Sequence, residues 1–119
     1  MTQSPQAHSV EEHFGGKDTA LHDLYNQLLA ELNKFGPIIE DAKKTSIHLN
    51  HVSALAGISV RKTYLLVNIK SGRAIDSPRI GKSEQISARR FHHEVKLSSP
   101  DQIDAELLGW LREAYELSG

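Results

Sequence analysis

Residues 61–96 read RKTYLLVNIKSGRAIDSPRIGKSEQISARRFHHEVK, and this stretch decides the fold. Residues 63–70 are rich in β-branched and aliphatic side chains. Further on, Phe91, His93, Val95 and Leu97 alternate with His92, Glu94 and Lys96. Both runs predict strands, the second with one buried face. Between them, residues 71–88 have no period and contain two glycines, one proline and four serines. An irregular segment of that length inside a compact domain commonly serves function, here as a ligand-binding lip beside the sheet.

Working outward, Thr45, Ile47 and Leu49 alternate with Ser46, His48 and Asn50, and residues 54–58 form a small apolar run. The links between these runs are too short to hold a helix, so the strands are expected to join as hairpins in an antiparallel sheet. Ile38 and Ile39 begin an extended segment that passes into a polar connection, EDAKK.

Helices are expected at both ends. Residues 1–8 read as a disordered tail, and residues 9–119 as one domain. Ser9 and Glu12 have capping-box spacing, and Gly15 and Gly16 stop the short helix they begin. From Asp18 or Thr19 a longer helix carries Leu21, Leu24, Tyr25, Leu28 and Leu32 on one face until Gly36 and Pro37 end it. Near the C-terminus, Ser99, Pro100, Asp101 and Gln102 supply a cap, a first-turn proline, a first-turn acid and a capping-box glutamine, so a helix is expected to start there. Its apolar stripe is Ile103, Leu107, Leu111 and Ala114. The sum is an α+β domain: an antiparallel sheet of roughly four to five strands, with an N-terminal helical pair and a C-terminal helix packed on it.

Composition narrows the function classes. With 39% apolar and 24% charged residues the 119-residue chain is an ordinary globular domain. It has no cysteine, which removes disulfides, thiolate metal sites and a cysteine nucleophile. No apolar run approaches the ~18 residues of a membrane span, so no membrane association and a cytoplasmic location are expected.

Several local patterns occur together: EEHFGGK at 11–17, LYNQL at 24–28, FGP at 35–37, KKTSIHL at 43–49, DSPRI at 76–80, RFHHEVKL at 90–97 and IDAELLGWLREAYELS at 103–118. Over nearly its whole length the chain thereby resembles a bacterial family catalogued as domain of unknown function 5655. The resemblance implies a small α+β domain that occurs alone or joined to other modules, some of them nuclease-like.

The near-neutral net charge of -1 hides an uneven distribution. Residues 61–96 hold most of the Lys and Arg, while the acids concentrate in the flanking segments. Arg73, Arg79, Lys82, Arg89 and Arg90 are therefore the candidate ligand-binding residues, with Lys44 and His92 secondary, because guanidinium forks and loop N–H groups suit phosphate or carboxylate. The expected function is non-catalytic binding of a phosphate-bearing partner, nucleic acid or nucleotide, through this basic loop and the sheet edge. Reversing Arg79 and Arg89 to Glu is expected to leave the fold intact and to abolish ligand binding. The competing reading is a module for a protein partner or for homodimerisation. His48, His51, His92 and His93 could make a metal site only by converging, and adjacent His92 and His93 point to opposite faces of a strand. No cofactor is expected. No G-x-S-x-G elbow, P-loop or dinucleotide fingerprint is present, so the sequence nominates no catalytic residue.

Overall fold

A computed structural model describes residues 8–119; the expected tail, apart from His8, lies outside the described residues. The order of elements is α1 (Val10–Phe14), α2 (Thr19–Leu32), β1 (Ile39–Ala42), β2 (Ile47–Asn50), β3 (Ala54–Val60), β4 (Leu65–Ser71), β5 (Ile80–Ser87), β6 (Arg90–Leu97), a short 3-10 turn (Pro100–Gln102) and α3 (Ala105–Leu117). The strands form one six-stranded sheet in the order β1-β2-β3-β4-β6-β5, every adjacent pair antiparallel.

The sheet is one-sided. Ile47, Leu49, Ile58, Leu65, Val67, Ile69, Val95 and Leu97 are buried against Leu24, Leu28 and Leu32 of α2 and Leu107, Leu111 and Ala114 of α3. Their strand neighbours His48, Ser59, Leu66, Asn68, Lys70, His92 and Glu94 are only half-buried and face away from the helices. The period of two puts the polar set on a face that no helix covers.

Local chemistry accounts for the helix boundaries. Ser9 Oγ accepts from the Glu12 N–H at 3.2 Å, and Asp18 Oδ1 accepts from Ala20 N–H at 2.9 Å, which satisfies donors that a helix start leaves orphaned. The C-terminal helix begins later than expected. Gln102 Oε1 accepts from the backbone N–H groups of Ser98 and Ser99 at 2.6 and 3.2 Å, yet this box nucleates only the 3-10 turn. Arg79 takes up the Gln102 carbonyl at 2.8 Å, and Asp104 caps α3 anew by accepting from Leu107 N–H at 3.0 Å.

The strand count is likewise corrected, from four or five to six. Residues 71–88 are not irregular throughout: β5 fills the second half. As an edge strand with residues 81–87 exposed on both faces and register shifts beside Gly81 and Ile86, β5 carries no alternation for a sequence to display. Glu40, Asp41 and Ala42, expected in a connection, continue β1, where Tyr25 Oη donates to Glu40 at 2.6 Å.

Residues 72–79 form a strap. Because β5 lies beyond β6 and runs in the direction of β4, the chain must travel the length of the sheet between them. It does so alongside α3. Arg73 grips Glu113 near one end of that helix and Arg79 grips Asp104 at the other.

Candidate functional site

Where the strap arginines point decides which surface can bind. Arg73 makes a two-pronged pair with Glu113 at 3.0 and 3.1 Å. That carboxylate holds the guanidinium pKa above its ordinary value. Arg79 donates to Asp104 at 2.8 Å, to Glu106 at 3.3 Å and to the Gln102 carbonyl, with its guanidinium 5.9 Å from the Trp110 ring centre. Asp104 is held below the usual carboxylate range by the Leu107 N–H first and by Arg79 second. Both arginines fasten the strap to α3.

A third fastening is buried. His93 is 1% exposed and lies between Ser83 and Arg73. A carbonyl only accepts, so His93 Nε2 donates to Arg73 O at 3.0 Å, and the Ser83 hydroxyl donates to Nδ1 at 2.8 Å. This histidine clasps β5, β6 and the strap together.

The expected basic cluster is therefore divided. Lys82 lies near the start of β5 and Arg89 in the turn beyond its end, with roughly 16 Å of strand between Lys82 and Ser87. Arg89 and Arg90 are exposed at the β5–β6 turn, and Lys44 is exposed in the β1–β2 turn. Of the expected set, Lys82 and His92 reach the helix-free face, and Arg79, from the strap, lines a groove that Lys82 borders from that face.

That face has an ordered arrangement. Strand register aligns His48, Gly57, Asn68, Glu94 and Lys82 in one row across five strands. The adjacent row contains Lys70, His92 and Glu84, and the row on the other side contains Ser59, Leu66 and Lys96. A depression of about 150 Å³ over β2, β3 and β4 is lined by Ser46, His48, Gly57, Ser59, Asn68 and Lys70. A smaller one of about 30 Å³, between Asn68, Lys82, Glu84, His92 and Glu94, adjoins it at Asn68. A broader groove of about 470 Å³ runs past Tyr64, Leu66, Lys82 and Glu94 toward Pro78 and Arg79.

The electrostatics of this face differ from those of the strap. Among the described residues, Lys70, Lys82 and Lys96 make no direct ion pair, and neither do Glu84 and Glu94, although Lys82 and Glu94 are cross-strand partners. Lys70 Nζ lies 3.2 Å from His92 Nε2. Burial first, and the Lys70 charge second, lower the His92 pKa, so the ring is neutral at pH 7 and accepts from the ammonium. Lys96 Nζ lies 4.8 Å from the Tyr64 ring centre. At the meeting point of the two depressions, Asn68 Oδ1 is buried without a hydrogen-bond partner.

The four histidines considered for a metal do not meet. His51 stacks on Tyr115 at 3.9 Å and donates to its carbonyl, His93 is in the clasp, and only His48 and His92 share the open face. No group of three His, Cys, Asp or Glu is placed to hold a metal among the described residues. No helix is long and apolar enough to cross a membrane. Asn68, Lys70 and Glu94 were overlooked in the sequence because their alternation was read as a sign of burial alone. The signal was present: polar residues at i, i+2 on three successive strands define a surface.

Fold and surface together describe a one-sided α+β domain whose helix-free sheet face is polar and carries small depressions. The family model described as "Domain of unknown function (DUF5655)" matches residues 10–118, and the chain belongs to that family. No curated protein and no solved structure matches the chain.

Proposed function

We propose that the protein binds a small phosphate-bearing ligand on the helix-free face of its sheet, with Lys70 and Lys82 as the cationic contacts and His48, His92, Ser46 and Ser59 as further hydrogen-bonding groups. The observation that carries this reading is the contrast in partners: the strap arginines are engaged by α3, whereas Lys70 and Lys82 over the open face are in no direct ion pair among the described residues and each borders a depression. An ammonium held in place by a neutral imidazole keeps donors available to an incoming anion. Nucleic acid fits less well, because the basic residues lie at two ends of the sheet and Tyr64 is the single aromatic beside the groove. Strand addition at β5, the route to a homodimer or a protein partner, is opposed by two register shifts and by Lys82, features that blunt sheet edges.

The test is a titration of ¹⁵N-labelled protein with inorganic phosphate, repeated from roughly 50 to 200 mM salt, the range over which exposed charge contacts weaken. Saturable amide shifts at Asn68, Lys70 and His92, lost in a Lys70→Gln, Lys82→Gln double variant that keeps its fold, are the expected result. Shifts confined to Arg89 and Arg90, or no saturable change, would remove the open face from consideration.

A further inference from the structure

The open face contains more acceptors than an anion can satisfy. Among the described residues Asn68 Oδ1 is buried without a donor, and Glu84 and Glu94 flank it with carboxylates that are in no direct ion pair. A phosphate dianion brings only acceptor oxygens. It would be held by Lys70 and Lys82 and would leave Asn68 as it is. A buried polar atom without a partner is costly, so a ligand that also supplies a donor gains by meeting it.

We infer that the ligand is a hydroxylated phosphate monoester, a sugar or polyol phosphate, whose phosphate sits between Lys70 and Lys82 while a neighbouring hydroxyl donates to Asn68 Oδ1. This inference rests on the function proposed above and specifies the ligand class. Three observations converge on it. Asn68 lines both depressions, so a group bound in either lies against its side chain, and a turn of the amide about χ2 uncovers the buried Oδ1 to it. Glu94 lies beside Asn68 in the strand register, and carboxylates accept readily from hydroxyls. The surroundings are small and polar, with Gly57 opposite Asn68 on β3 and Lys96 already over the Tyr64 ring, which suits a polyol better than a stacked nucleobase.

Two monoesters of equal charge and similar size separate the possibilities. Glycerol 3-phosphate and n-propyl phosphate are each titrated against the protein and against Asn68→Val, with thermal melting as the control for folding. Wild-type protein is expected to prefer glycerol 3-phosphate by about tenfold, the worth of one well-made hydrogen bond to a buried acceptor. In Asn68→Val the preference collapses toward unity, while n-propyl phosphate binds as before. Equal wild-type affinities for the two esters would overturn the inference and leave the phosphate-binding function standing: the Asn68 amide would then present its NH2 to the anion. If neither ester nor inorganic phosphate binds, the proposed function fails along with it.

Discussion

At the scale of single residues, two glycines show how position sets the effect of a side chain. Gly36 follows α2 with φ at +154°, and a methyl added there would collide with the Tyr115 hydroxyl. Tyr115 is itself buried, stacked on His51 and tilted against Phe35, so it has little room to yield. Gly36→Ala is expected to cost about 2–4 kcal/mol from backbone strain and overpacking together. Gly109 is exposed within α3 and a methyl there meets nothing, so Gly109→Ala should stabilise by about 0.5–1 kcal/mol. Urea denaturation of both variants measures the pair; a Gly36→Ala midpoint equal to that of the parent would show that Tyr115 moves aside freely.

At the scale of elements, the strap is the part whose role changed most between sequence and structure. Its basic residues suggested a binding lip because charge and irregularity are what a sequence displays. Their acidic partners lie tens of residues away, on a helix whose own pattern accounts for its acids as first-turn and solvent-facing residues. Arg79 is the stronger fastening, with its side chain 21% exposed against 55% for Arg73. Arg79→Ala should therefore cost about 2 kcal/mol, and Arg73→Ala no more than about 1 kcal/mol after solvent screening. Charge reversal at Arg79 would set Glu beside Asp104 and Glu106, so it does not leave the fold untouched. Denaturation midpoints in which Arg73 matters more than Arg79 would contradict this ranking.

At the scale of the whole molecule, stability should fall on acidification in two steps. The folded state keeps His92 unprotonated below its ordinary value of 6.5, where the unfolded chain takes up a proton, so stability declines as pH drops through that region. The carboxylates act lower. Glu12 is depressed from 4.5, chiefly by its hydrogen bond with His8, and Asp104 from 3.8, chiefly by Leu107 N–H. Their contributions are complete above those values and are lost as pH falls through the lower folded ones. Thermal melts from pH 7 to about 3 should show both declines, and His92→Gln should remove the first alone. A wild-type melting temperature unchanged between pH 7 and about 5 would refute the assignment to His92.

What the chain alone determined follows from local rules. The helix cap at Ser9, the start of α2 at Asp18 or Thr19, the α2 and α3 stripes, the hairpin links and the alternation in β2 and β6 each depend on residues within a turn or a pleat of one another, and all were legible. What required the tertiary structure depends on pairing between distant segments. β5 is defined by the strand beside it and shows no pattern of its own. The strap arginines acquire their meaning from α3. The open face exists because the strand register brings Asn68, Lys70, Lys82, His92 and Glu94 from three strands to one surface, and because every helix packs on the other side.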